Sequence, residues 1–338
     1  MRAGRSKSIV ILSFMLLLQL IYFILIEQGN SEEVFEKDKY QEILEKDQTF
    51  TQSEEKSSSG DSQESYFFIV ITKSAPQSID DRNLLRQQSW LSYEWKDINS
   101  QEISWRHFFL VGLSIDPEFS RAKMQEENDE YGDILISPTL DSYRRMTYKL
   151  MWAFQHLIET YKFMFLIVLS EDTIVNVRDL HTYLQKQVYL GNHKRFHGGT
   201  QCKIRQIHRT GKAAITKLEW PNDLLPKLCI GSGFMFSFDV IEELLEIWDD
   251  DKQPVNPLDD VQIAILLLMS GKIPIREISQ VSHGCKKRNS DSFIVSQIKP
   301  LEKGVELIRN YMQHGFYCFE NIKPHRVHFP GEENIVWV

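Results

Sequence analysis

Cysteine is scarce in this chain: Cys202, Cys229, Cys285 and Cys318 are the four it has in 338 residues. No two of them stand in C-x-x-C spacing, which argues against a cysteine zinc site. In an oxidising compartment four cysteines can form two disulfides in three pairings that sequence does not rank, and buried free thiols are the other possibility. No N-x-S/T sequon occurs, so glycosylation signals give a luminal location no support. The ten histidines lack H-E-x-x-H spacing, and there is no Walker lysine loop and no G-x-S-x-G elbow. Gly231-Ser232-Gly233 is not the G-x-G-x-x-G that opens a helix, so a dinucleotide-binding fold gets little from it. A basic surface is missing too. The net charge of -8 falls to -3 once the first 64 residues are set aside, which does not suit a nucleic-acid partner.

Those first 64 residues divide sharply. Residues 1–26 carry +3 from Arg2, Arg5 and Lys7, and residues 27–64 carry -8 from 12 acids against 4 bases. Ile9 to Ile26 is an 18-residue run with Ser13 and Gln19 its only polar members. That length reaches the range needed to span a bilayer and exceeds the apolar region of a cleaved signal peptide. Basic residues before it and acidic ones after place the N-terminus in the cytosol and the bulk of the chain in the secretory lumen. The expected organisation is a cytosolic tail at 1–7, a transmembrane signal anchor at 8–26, a disordered acidic stem at 27–64 and a luminal domain at 65–338. Within the stem, EEKSSSGDSQES has almost nothing to bury. Val34 to Leu44 could form a short helix with a thin apolar face.

From Tyr66 onward the texture is that of an α/β domain. YFFIVIT, HFFLVGL, Asp133 to Ile136 and FMFLIVL (from Phe163) read as buried strands. Between them, helical spacing covers Asp80 to Tyr93, Pro117 to Asn128 and Ser142 to Tyr161. Continuous apolar strands alternating with helices predict a mostly parallel sheet covered on both faces. Beyond it, Val177 to Val188, Val240 to Trp248 and Gln262 to Met269 read as helices. FHGGTQCKIRQI reads as loop and strand, and LCIGSGFMFSFDV as a strand interrupted by two glycines.

Ligands of such sheets lie beyond the carboxyl ends of the strands. The fourth strand ends there in Ser170-Glu171-Asp172. Two hard carboxylates suit Mn2+ or Mg2+, though a solvated turn or a helix cap uses the same residues. Asp259-Asp260 precedes an apolar helix. It reads either as acids favouring the helix dipole or as a general base. Gly231 and Gly233 inside an apolar run mark a bulge or a close backbone approach. His197 and His208 are candidate metal ligands, but loop histidines of this kind are common.

Taken together, these segments resemble the β-1,3-galactosyltransferase family (glycosyltransferase family 31), which also holds β-1,3-N-acetylglucosaminyltransferases. YFFIVITKSAP followed by DRNLLRQQSW resembles the family's strand, turn and "R-x-x-x-R…W" helix, with the Arg86-to-Trp90 gap one residue longer. YGDILISPTLDSYRRMTYKL resembles its "YGDI…DxYxNLTxKT" block through Tyr131, Asp133, Asp141, Tyr143, Thr147 and Lys149, with Arg145 in place of Asn. WPNDLLPKLCIGSGFMFS and LDDVQIAILL resemble two further elements, with Ala264 replacing a glycine, which should only tighten packing. The likeness covers about residues 66 to 275. The departure is at the strand end, where the family's "DDD-V-F-V-N" is Ser170-Glu171-Asp172 followed by TIVN.

The resemblance implies a GT-A-like α/β fold and a Golgi type II membrane enzyme. It would transfer galactose or N-acetylglucosamine from a UDP-sugar to an acceptor glycan on protein or lipid, with inversion and a β-1,3 linkage. It implies Asp260 as base, Asp259 as the nearest rival, and Asp172 as the ligand of Mn2+ or Mg2+. Glu171 would orient metal-bound water or the ribose. Arg86, Asp141 and Lys149 would lie at the donor, and Gly231 and Gly233 would let the sugar approach. A catalytically weak Golgi homologue that binds a glycan or a partner enzyme is the alternative, motivated by Ser170.

Overall fold

The computed structural model describes residues 63–249, 255–284 and 292–314. The apolar run at Ile9 to Ile26, the acidic stem, the short helix expected at Val34 to Leu44, and Cys285 and Cys318 lie outside these. No helix among the described residues is long and apolar enough to cross a membrane.

Strands β1 (Ser65–Lys73), β2 (Trp105–Leu113), β3 (Ile134–Leu140) and β4 (Lys162–Ser170) are the four apolar runs expected. They alternate with helices α1 (Ile79–Gln88), α2 (Arg121–Tyr131) and α3 (Met146–Thr160). After a two-residue strand β5 (Ile174–Val175) come α4 (Val177–Tyr189), β6 (His197–Gly199), β7 (Gly233–Ser237), α5 (Phe238–Ile247), α6 (Asp259–Ser270), β8 (Ile275–Glu277), β9 (Val281–His283), β10 (Ile294–Ser296) and α7 (Leu301–His314). The main sheet has seven strands in the order β3-β2-β1-β4-β7-β6-β8. Its first four are mutually parallel, and β7 runs antiparallel to both β4 and β6. The sheet is therefore mostly parallel but mixed.

Continuous apolar strands have a physical origin here. Along β1, Phe68 and Val70 join one apolar cluster while Ile69 and Ile71 join the other. Along β4, Phe165, Ile167 and Leu169 alternate in the same way with Leu166 and Val168. Both faces are covered, so no polar face is left to show the period of two. Helix α3 covers one of the two faces with Leu150, Ala153, Phe154 and Leu157. Two helices, α2 and α6, stop at glycines in the left-handed region, Gly132 (φ 64°) and Gly271 (φ 64°). A second sheet, β5-β10-β9, lies directly after the end of β4.

Several boundaries differ from the sequence pattern. The stretch before α3 is a single 3-10 turn, Tyr143–Arg145, and the segment from Pro117 opens with another before α2 begins. Helix α6 starts three residues earlier than Gln262, so Asp259 and Asp260 occupy its first turn. Cys202 and Cys229 form a disulfide, which removes the free-thiol possibility for that pair. It closes a long excursion between β6 and β7. The excursion carries its own small core, in which Ile215, Leu225 and Leu228 pack on Val261 and Ala264 of α6. The Ala264 methyl group is part of that contact.

Candidate active site

The carboxyl ends of β1 and β4 lie side by side, with Lys73 in register with Ser170. The turn after Lys73 is pinned from beneath. Lys149 Nζ donates to Ser74 O at 2.8 Å and to Asp141 Oδ2 at 2.7 Å, and Gly112 N donates to the same carboxylate oxygen at 2.9 Å. A side chain at Gly112 would put its Cβ 2.6 Å from Thr139 O, so only glycine lets β2 come this close. Arg82, fully buried, donates to Ser74 Oγ and Ala75 O and pairs with Glu127. Burial holds the Lys149 ammonium below its usual range against the opposing pull of Asp141.

Above this turn Lys73 reaches across to α6. Its ammonium donates to Asp259 Oδ2 at 2.6 Å and to Gly231 O at 2.9 Å. Asp260 N donates to Asp259 Oδ1 at 3.0 Å, and Val261 N to Asp260 Oδ1 at 2.9 Å. Burial, then the neighbouring Asp259 charge, push the Asp260 carboxyl up to about 6. Lys73 and the backbone amides of Val261 and Gly231 act in the opposite direction. A Cβ on Gly231 would stand 3.5 Å from both Asp259 Oδ1 and Lys73 Nζ and 3.6 Å from Asp260 Cβ, in the space among these groups. Tyr143 stands close enough for both acids to raise its phenol above the usual range, after burial. Its ring is 43% exposed and lies under the Lys212 ammonium at 4.6 Å.

At the end of β4, Glu171 turns towards the β1–α1 connection rather than outward. Its Oε2 accepts from Ser78 Oγ at 3.3 Å, while its Oε1 is buried without a hydrogen-bond partner. Burial raises its carboxyl above the ordinary range. Asp172 is partly exposed, with Lys299 Nζ 3.6 Å away, and its backbone carbonyl accepts from Ile298 N at 2.9 Å. Trp90 donates from Nε1 to Thr173 O at 3.1 Å, so the buried tryptophan after α1 also anchors this strand end.

The positions named from sequence thus separate. Asp259, Asp260 and Gly231 come together. Asp141 and Lys149 form a buried pair beneath the same turn, and Glu171 touches that turn through Ser78. Arg86 is elsewhere. Its guanidinium is held by Asp133 on both Nε and Nη2, by Glu127 and by Asn83, with the Tyr131 ring 4.1 Å away. Four of five donors are taken inside the framework. Gly233 faces the core instead of a cleft, since its Cβ would meet Val281 and Ile294. His197 is buried in β6 and stacked on Phe236, and burial alone lowers its imidazole to about 3; His208 is exposed in the excursion. Lys73 was not named from sequence. The signal that could have found it is the rule already applied to β4: look at the residue where a parallel strand ends.

Among the described residues, no three His, Cys, Asp or Glu side chains converge into a self-sufficient metal site. A hard divalent cation that shares its shell with diphosphate oxygens and water needs only one or two carboxylates. Asp172, partly exposed at the strand end, is a carboxylate that fits such a shared site, whereas the Glu171 carboxyl is buried and turned to Ser78.

A partly buried acid of raised pKa beside the carboxyl ends of parallel strands marks a candidate functional site of an α/β domain. Residues 80–278 match the family model described as Galactosyltransferase, and the chain belongs to that family. The UDP-GalNAc:beta-1,3-N-acetylgalactosaminyltransferase 1 of Rattus norvegicus is 26% identical over 268 residues, covering 76% of this chain and 75% of that one. The beta-1,3-galactosyltransferase 5 of Pan paniscus is 25% identical over 209 residues, covering 60% and 64%. Among solved structures, a glycosyltransferase involved in glycosylation of the major capsid of PBCV-1 aligns over 72% of this chain and 98% of that one. Its TM-score is 0.31 at 8% identity, too low to bear on fold or function.

Proposed function

We propose that this chain transfers a hexose or N-acetylhexosamine from a UDP-sugar to a hydroxyl of an acceptor glycan, forming a β-1,3 linkage with inversion. The observation that carries the reading is the partly buried Asp260, raised to about 6 and set beside a lysine-paired Asp259 at the sheet's carboxyl edge. A base is most effective with a pKa near working pH. In the transfer step the acceptor oxygen attacks C1 of the sugar, its proton passes to Asp260, and the C1–O bond to the diphosphate breaks with its electron pair leaving on UDP. Asp259 accepts the backbone N–H of Asp260 and orients its neighbour. Gly231, lacking a side chain, leaves room for the reacting groups. Asp172 would hold Mn2+ or Mg2+. That cation, when bound, would neutralise charge on the departing diphosphate.

Galactose, N-acetylgalactosamine and N-acetylglucosamine are the donor sugars to test, the first two because named relatives transfer them. A single N-terminal anchor with the catalytic domain in the Golgi lumen is the proposed topology. It is supported by the apolar run at Ile9 to Ile26 and its flanking charge. UDP titration of the full-length chain by calorimetry, with and without Mn2+, tests the site. Manganese-dependent binding that is lost in Asp172→Ala is expected. Binding that is absent, or indifferent to metal and mutation, overturns the metal-assisted reading and favours a non-catalytic homologue, as Ser170 in place of a carboxylate would suit.

A further inference from the structure

The transfer step leaves Lys73 without a part, yet few side chains here are held more tightly. Its side chain is 9% exposed, and two of its three donors are fixed at 2.6 Å on Asp259 and 2.9 Å on Gly231. A buried lysine–carboxylate pair can simply brace a fold, and Lys149 with Asp141 does so one layer below. Lys73 differs in what its partners touch. Asp259 accepts from the backbone N–H of Asp260, and Gly231 supports the Asp260 carboxylate through its own amide. One ammonium therefore grips both neighbours of the base, from a different strand.

The charges facing Asp260 are few. Asp259 shares its helix, Lys73 comes from β1, and the Tyr143 phenol comes from the turn before α3 with Lys212 over its ring. Lys149 stands behind Lys73 and is matched by Asp141. Without Lys73, no cation from another element would offset the repulsion that Asp259 already exerts on Asp260. We propose that Lys73 is a positioning residue of the transfer reaction: it keeps Asp259 as the paired anion, so that the base role falls to Asp260 alone, and it fixes the Gly231 peptide against that base. This rests on reading Asp260 as the base.

The test is the pH dependence of kcat/KM for the full-length chain and for Lys73→Met, Lys73→Arg and the double variant Lys73→Met/Asp259→Asn. Lys73→Met should move the acid limb upward by about one pH unit or more, about a fivefold loss at pH 6 and tenfold well below it, with the donor KM little changed. Lys73→Arg should move it less, because charge is kept. The double variant should bring the limb back, because the unpaired anion is gone. A limb that stays in place in Lys73→Met, or that does not return in the double variant, overturns the proposal. A second readout needs no activity. The pH-dependent stability gained by Asp260→Asn, followed by urea unfolding, should grow in the Lys73→Met background, and an equal gain in both backgrounds overturns the proposal. Wild-type turnover by Asp260→Asn would instead remove the base reading, while the unfolding comparison still decides the role of Lys73.

Discussion

Asp260→Asn should make the protein more stable where it makes the enzyme fail. The carboxyl moves from an ordinary 3.8 to about 6 in the folded chain. For an acid whose folded pKa is raised, the folded state holds its proton longer than the unfolded one. Stability therefore falls as pH rises from about 4 to 6, and the full cost is present above that. A shift of about 2 units corresponds to about 3 kcal/mol. Asparagine cannot ionise, so the stability difference between variant and wild type should widen by about 2.4 kcal/mol between pH 4 and pH 7.5, part of the cost being present already at pH 4. Any fixed packing cost of the substitution cancels in that comparison. The buried imidazoles His107 and His197, both lowered to about 3, work the other way, removing stability as pH falls below 6.5, but equally in both proteins. Urea unfolding across this range reads the difference directly. Parallel curves would refute the claim that Asp260 is held protonated by its surroundings.

Three further outcomes follow from the same geometry. Arg86→Met should cost about 3–5 kcal/mol, because Asp133 loses both its hydrogen bonds to the guanidinium and Glu127 one of its two arginines; UDP affinity of the folded protein should not change. A loss of UDP affinity in calorimetry would return Arg86 to the donor site. Cys202→Ser opens a loop whose ends are 27 residues apart and should lower stability by about 3 kcal/mol in thermal or urea unfolding. Gly231→Ala should fold normally, since its methyl group makes only contacts of 3.5 Å and longer, yet lose on the order of 100-fold in kcat/KM by filling the space among Asp259, Lys73 and Asp260.

How much of this could be read from the chain depended on the kind of signal. Strands β1, β2 and β4 were legible because two-sided burial writes an unbroken apolar run. The same run carries no direction, so the antiparallel β7 could not be told from a parallel strand. Asp260 and Gly231 were found through motif order, and the sheet rule placed Glu171 and Asp172 at the ligand edge. The geometry of Glu171 was not legible, because its carboxyl turns to Ser78, a residue 93 positions away. The resemblance puts Arg86 at the donor or on the surface; its partners Glu127 and Asp133, 41 and 47 positions away, are not legible in the sequence. Lys73 is not legible either. A lysine ending an apolar strand looks like a solvated terminus until the chain folds α6 against it, 186 residues later.

Transfer of labelled sugar by the full-length chain is the most direct measurement. UDP-galactose, UDP-N-acetylgalactosamine and UDP-N-acetylglucosamine would be offered with β-galactoside and N-acetylglucosaminide acceptors, to wild type and to Asp260→Asn. Transfer from at least one donor is expected, falling about 100- to 10,000-fold in the variant while UDP binding persists. Wild-type turnover by Asp260→Asn, or a wild type that binds UDP but transfers none of these sugars, would contradict the assignment of Asp260 as the base of a glycosyl transfer.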